Sequence, residues 1–266
     1  MNADARPESV GQDVLFQVTG QVATVLLNRP DSRNAINGNV ARALRWIIDE
    51  IDRSPSIAIA VLGSSTPGMF CAGADLAEIA RGGGADLVDP DYGFAGFVRA
   101  PRAKPWIAAV DGPAMGGGFE IALCCEMIVA SDKALFGLPE VKRGLMAMAG
   151  GAIRLPRLLP RALAIEALMT GDPIAAGTAQ AHGLINRLVG PEEVLPAALG
   201  LAERIARNAP LALRESLALA RAASTSDEAA LWAANDAAML RVASSEDARE
   251  GPRAFMEKRE PNWSGR

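Results

Sequence analysis

Trp106-Ile107-Ala108-Ala109-Val110-Asp111-Gly112-Pro113-Ala114-Met115-Gly116-Gly117-Gly118-Phe119-Glu120 is the stretch on which the architecture turns. The apolar run from Trp106 to Val110 reads as a strand covered on both faces. Asp111-Gly112-Pro113 ends it, and the glycines open a helix that carries Glu120 and an apolar run to Cys125. The same form recurs upstream. A buried strand from Ile57 to Leu62 leads to Met69-Phe70-Cys71-Ala72-Gly73-Ala74-Asp75-Leu76, where a glycine turn again precedes a short helix. Downstream, Met127 to Ala130 reads as a third buried strand. Before all of these, Val14, Phe16 and Val18 alternate, Thr19-Gly20 turns the chain, and Val22 to Leu27 returns as a hairpin partner. Val40, Leu44, Ile47, Ile48 and Ile51 have helical spacing, and Pro55 ends that helix. Strands alternating with helices over residues 14–190 indicate an α/β core.

Past Pro191 the strand pattern stops. Segments rich in Ala, Leu, Glu and Arg are punctuated by Pro196, Pro210, Pro252 and Pro261. We divide the chain into an α/β core over 1–191 and a C-terminal helical region over 192–266, whose apolar faces must pack on the core or on another subunit. Residues 82–93 read as a mobile loop, and the polar start, Met1 to Gly11, as a frayed tail. The 27 basic and 31 acidic residues leave a net charge of −4, which argues against a nucleic-acid binder. The three cysteines, Cys71, Cys124 and Cys125, cannot build a disulfide framework and read as small buried hydrophobes. With no secretory pattern and no apolar run of membrane-spanning length, the expected compartment is cytoplasmic, without a membrane partner.

Both glycine turns expose the unpaired amides of a helix start and let a ligand approach the main chain. Two amides from two such turns could converge on one carbonyl oxygen as an oxyanion hole. The plainer reading is a pair of tight connections, with Asp75 capping its helix. Glu120 in a first helical turn and Glu140 after Pro139 also have a plain reading, as favourable charge–dipole placements. Their apolar neighbourhoods, however, would raise and separate two carboxyl pKa values, as acid–base chemistry requires. No Lys-Ser or Lys-Thr follows either glycine cluster, so a P-loop is excluded. The Rossmann spacing fails as well. His182, the lone histidine, sits where a helical pattern stops before Gly183 and reads as a terminal residue rather than a catalyst. No metal-ligand cluster is present in the sequence.

Taken together in order, Asn34-Ala35-Ile36-Asn37, Phe70 to Leu76, Gly116 to Glu120, Phe136-Gly137-Leu138-Pro139-Glu140 and Leu168-Met169-Thr170-Gly171 resemble the crotonase, or enoyl-CoA hydratase/isomerase, superfamily. The resemblance runs through nearly the whole chain. It implies a crotonase-like spiral of ββα units with a C-terminal helical trimerisation region, and a homotrimer or homohexamer. It implies that the amides of Ala74 and Gly117 form the oxyanion hole and that Glu120 and Glu140 are the catalytic pair. Arg33, Ala35, Ala72 and Leu76 map to segments lining the coenzyme A site, with Ala72 meeting the adenine through its backbone and Asp75 in the same segment. Phe255 and Lys258 match positions that reach a neighbouring subunit's ligand. The chain departs from the family's pattern in two places. Ala147-Met148-Ala149-Gly150-Gly151 stands where hydratases commonly have Pro-Gly-Ala-Gly-Gly, which puts Met148 at the acyl pocket. Ala77 stands where a lysine often meets the nucleotide, leaving Arg81 or Arg33 to help hold the phosphates.

The function expected on these grounds is hydration of a trans-2-enoyl-CoA to the 3-hydroxyacyl-CoA, as in fatty-acid β-oxidation or related acyl-CoA catabolism. Coenzyme A is then part of the substrate, and neither metal nor redox cofactor is implied. The alternatives are an enoyl-CoA isomerase, a dehydratase of a specialised hydroxyacyl-CoA, and a non-catalytic acyl-CoA-binding protein on the same fold.

Overall fold

The computed structural model describes residues 6–266. β1 (Val14–Thr19) and β2 (Val22–Leu27) pair antiparallel, with Val14 opposite Leu27 and Thr19 opposite Val22. Of the expected frayed tail, Met1 to Ala5 lie outside the described residues. The rest is a packed turn in which Val10 is buried and bridges to Val14. α1 (Gly38–Arg53) begins where the Asn37 side chain accepts from the Val40 amide, and it buries Val40, Leu44, Ile47, Ile48 and Ile51. β3 (Ile59–Ser64) follows, then α2 (Leu76–Ala80).

The segment expected to be a mobile loop is built instead. It forms a 3-10 turn over Gly83–Leu87 and a minimal hairpin of β4 (Val88–Asp89) and β5 (Gly93–Phe94). Arg45 of α1 pairs with Asp89 at 2.6 Å, and the Tyr92 hydroxyl donates to Asp49 at 2.5 Å. The sequence hid this because the glycines there break local periodicity, while the ordering contacts come from α1.

β6 (Trp106–Val110), β7 (Ala114–Met115) and α3 (Gly117–Ala122) come next, then β8 (Met127–Ser131) and β9 (Leu135–Gly137). α4 (Gly151–Leu158), α5 (Arg161–Thr170), β10 (Ile174–Ala175), α6 (Ala176–Ala181) and β11 (Arg187–Val189) complete the core order. The main sheet runs β1-β2-β3-β6-β8-β11, and every pairing after the first hairpin is parallel. The chain repeats one move: a main-sheet strand, a short strand in a second layer, then a helix. β6, β7 and α3 make one such turn of a spiral. β3 makes another through Cys71, which bridges to Ala114 of β7, and continues into α2.

Residues on the parallel strands alternate between two apolar layers, as a two-residue side-chain period demands. Ala60, Leu62, Trp106, Ala108 and Val110 join α1 and α3 in the larger core. Ile59, Val61, Ile107, Ala109 and Val129 face the other way, against Val194, Ala198, Ala202 and Ala206 of α7 (Val194–Ala206). Those four positions form an i, i+4 stripe of mostly alanine that lets α7 lie close on the sheet. In packing terms α7 therefore belongs to the core, one helix beyond the boundary expected at 191/192. α8 (Pro210–Ala222), α9 (Glu228–Ala243) and α10 (Glu246–Glu257) form the remaining helical region. Among the described residues no helix is long and apolar enough to cross a membrane.

Candidate active site

The two glycine turns meet edge to edge. Cys71 accepts from the Met115 amide at 2.9 Å and donates its own amide to the Pro113 carbonyl at 3.1 Å. Gly73 has φ +93, and a Cβ there would lie 2.7 Å from the Met115 carbonyl oxygen and 3.1 Å from the Gly117 nitrogen. Only glycine satisfies both the backbone angle and this close approach.

On the other edge, Ile36 donates to the Gly73 carbonyl at 2.8 Å and accepts from the Asp75 amide at 2.9 Å. In such a parallel bridge the residue between, Ala74, turns its own amide away from Ile36, towards the side that holds Gly117. The Gly117 amide opens α3 and has no preceding helical carbonyl to bind. The ring of Phe94 covers Gly117 so closely that a Cβ there would strike it.

Glu120 lies in the first turn of α3 and is only 3% exposed. Its Oε1 accepts from the Gly151 amide at 2.8 Å. Burial, with a push from the nearby Glu140 charge, raises its pKa to about 7, against the lowering effect of the Gly151 and Ala149 amides and of Arg154. Glu140 stands in the 3-10 turn Pro139–Arg143, with Oε1 close against Gly116. Its Oε2 is buried without a hydrogen-bond partner, and burial raises its pKa too, opposed by Arg143. Two carboxyls of elevated pKa thus flank the junction of the two turns. An orphaned buried oxygen suits a group that holds a proton for delivery.

Other expected site residues fall into three places. Arg33 (left-handed, φ 53), Ala72 and Leu76 are exposed along the outer edge of the first turn, where the Ala72 amide donates to the Arg33 carbonyl at 3.0 Å. Ala35 is buried beneath them. The Asp75 side chain caps α2 through the Glu78 amide at 3.1 Å and pairs with Arg29 at 3.0 Å, so both carboxylate oxygens have partners within the protein. Burial opposes its ionisation, but the Glu78 amide and Arg29 overcome this and hold its pKa below the ordinary value.

Met148 is 67% exposed in the turn before α4, so it fills no core space. At the far end of the chain, Phe255 is 83% exposed near the end of α10, and Lys258 follows in a left-handed conformation. Arg81 pairs with Glu78 at 3.2 Å. His182 is exposed at the end of α6. Cys71 is a buried thiol whose pKa burial pushes up to about 12, which leaves it inert as a nucleophile.

The sequence assigned no individual role to three further residues of the site. Phe94 reaches Gly117 from just past the stretch that read as a loop. Asn34 is almost fully buried and steadies the first turn, accepting from the Arg29 amide at 2.8 Å and donating to the Phe70 carbonyl at 3.0 Å. Arg154 joins the 149–151 turn to Val98. A separate cavity of about 430 Å³ beside Gly63, Asp111, Pro191 and Leu195 includes neither glutamate in its walls.

The enoyl-CoA hydratase/isomerase family model matches residues 17–266. A carnitinyl-CoA dehydratase of Proteus mirabilis is 38% identical, covering 97% of this chain and all of that protein. The enoyl-CoA hydratase EchA19 of Mycobacterium tuberculosis is 38% identical, covering 96% and 98%. Among solved structures, an enoyl-CoA hydratase from Mycobacterium tuberculosis superposes with a TM-score of 0.92 at 39% identity, covering 96% of this chain and 99% of that one. Motif order, spiral topology and these likenesses agree: the chain belongs to the enoyl-CoA hydratase/isomerase, or crotonase, superfamily.

Proposed function

We propose that the chain is a hydro-lyase that adds water across the double bond of a trans-2-enoyl-CoA. The observation that carries this reading is the pair of carboxyls, Glu120 and Glu140, both raised in pKa and set beside the juncture of two amide-bearing turns. The Ala74 and Gly117 amides receive the thioester oxygen and hold its developing negative charge, each donor contributing roughly 3–4 kcal/mol to the transition state. Glu120 takes a proton from water as the water oxygen bonds to C3. Glu140 gives its proton to C2, and the C2–C3 π pair becomes the new C–H bond. The product is the 3-hydroxyacyl-CoA, and the carboxyls return to their starting states by exchanging a proton with solvent.

Coenzyme A enters as part of the substrate, along the edge formed by Arg33, Ala35, Ala72 and Leu76, and no other cofactor takes part. Met148 and Phe94 border the acyl group. Phe255 and Lys258 complete the site of a neighbouring copy in a trimer or hexamer.

Run backwards, the same residues dehydrate a 3-hydroxyacyl-CoA. The carnitinyl-CoA dehydratase likeness supports that second reading. Crotonyl-CoA supplied in deuterated water tests both directions: hydration is expected to place one deuterium at C2 of 3-hydroxybutyryl-CoA. Glu120→Gln and Glu140→Gln should each slow turnover at least about a hundredfold with the fold intact. Double-bond migration without hydration, or near-normal rates from either variant, would overturn the assignment.

A further inference from the structure

Arg154 lies on α4, one turn past the glycine that donates to Glu120, and its side chain doubles back. Its Nη1 donates to the Ala149 carbonyl at 3.1 Å and its Nη2 to the Val98 carbonyl at 2.6 Å. Its own amide donates to the Gly150 carbonyl at 2.8 Å. Gly150 has φ +107, and any Cβ there would collide with the guanidinium, so the arginine passes directly over the bare face of this glycine. The turn it holds supplies the amides of Ala149 and Gly151 to the Glu120 carboxyl. At its other end Val98 donates its own amide to the carbonyl of Phe94, the residue whose ring covers Gly117, at 3.2 Å. One planar guanidinium thus fixes the position of two pieces of the site that are far apart in sequence, which a single ammonium could not do with the same geometry.

We infer that Arg154 is a positioning residue for Glu120, clamping the 149–151 turn to Val98 so that the turn's amides meet the carboxyl in a fixed geometry. The inference rests on the catalytic reading of Glu120. Arg154 touches no reacting atom in that scheme. Charged groups facing Glu120 are Glu140, from the 3-10 turn, and Arg154, from α4. Glu140 disfavours the ionised form, whereas Arg154 and the amides it positions favour it. Without the clamp both favourable influences weaken together, so ionisation of Glu120 shifts to higher pH. A base that must be ionised to act then loses rate on the acid side.

The test compares Arg154→Met and Arg154→Lys with the unaltered protein, each at full length. Glutamate carboxyls labelled with carbon-13 are titrated by NMR, and the Glu120 signal is identified by its loss in Glu120→Gln. The midpoint of that signal is expected to rise by at least half a pH unit in Arg154→Met and by less in Arg154→Lys. The acid limb of kcat/KM for crotonyl-CoA should move in the same direction, with kcat falling about tenfold or more and KM changing little. An unmoved Glu120 midpoint in both variants overturns the role, whatever the loss of thermal stability. If the unaltered protein hydrates no enoyl-CoA, the proposed function fails, but the titration still decides whether Arg154 governs Glu120. Arg154→Lys provides the folded comparison should Arg154→Met be unstable.

Discussion

Glu120 shows how a single side chain can be kept at a cost to the fold. Its carboxyl, raised from an ordinary 4.5 to about 7, binds its proton more tightly folded than unfolded. Such a group contributes most below pH 4.5, and its contribution declines as pH rises through the interval to about 7. Above that it opposes folding, because a charge must be held where water is scarce. Glu120→Gln keeps the shape and an acceptor for the Gly151 amide but removes the charge. We expect this variant to be more stable than the unaltered protein at pH 8 by about 2–3 kcal/mol, with the gap closing towards pH 5. Chemical denaturation at both pH values checks this; equal midpoints at pH 8 would show that the carboxyl is not held against its preference. The residue was legible in the sequence as a glutamate in an apolar helix start. Its partner amide at Gly151 was not, since it lies 31 positions further along the chain.

At the scale of elements, the juncture of the two turns depends on what is absent from it. Gly73 and Gly82 both have strongly positive φ, +93 and +90, yet their surroundings differ. A methyl at Gly82 would meet nothing within 4 Å, whereas one at Gly73 would run into the main chain of Met115 and Gly117. Gly82→Ala should therefore cost only backbone strain, about 1–2 kcal/mol. Gly73→Ala should cost more, about 3–4 kcal/mol, and should also displace the two amides and suppress turnover. Thermal melts and rates on crotonyl-CoA for the two variants separate these effects. Equal losses would mean that the turns can move apart without consequence. The glycines stood out in the sequence, but which of them faces backbone and which faces solvent depends on the Cys71–Ala114 bridge, a pairing across 43 residues.

At the scale of the whole molecule, the C-terminal helices leave several large apolar side chains uncovered. Trp232 is 61% exposed and Leu240 67% exposed on α9, and Met256 and Phe255 follow on α10. Surfaces of this kind are ordinarily buried between subunits. α8 and α9 pack on each other and are tied by Arg241 to Glu215 at 2.6 Å, so the region can present a rigid face. Sedimentation of the intact chain at micromolar concentration is expected to show a trimer or hexamer. Leu240→Asp should shift the distribution to smaller species. If Phe255 and Lys258 serve a neighbour's site, that variant should also raise KM for the acyl-CoA. A stable monomer with full activity would refute this arrangement.

What the sequence determined by itself was local and periodic. The two-residue alternation of β1 and β2, the all-apolar runs of β3 and β6, and the 3.6-residue stripe of α1 each follow from side chains near one another along the chain. The order of glycine turns and glutamates sufficed to place the chain in its family. Tertiary structure alone decided the rest. It turned residues 82–93 from a loop into a hairpin, because Arg45 and Asp49 of α1 supply the partners. It assigned α7 to the core, because the outer faces of β3, β6 and β8 needed a cover. It committed Asp75 to Arg29 and a helix cap, and it brought Arg154 to Val98 across 56 residues. The physical reason is common to all four. A residue's propensity and the period of its neighbours act through the bonded chain, whereas hydrogen bonds and apolar contacts act through space. Only the folded path of the backbone determines which distant groups come within their reach.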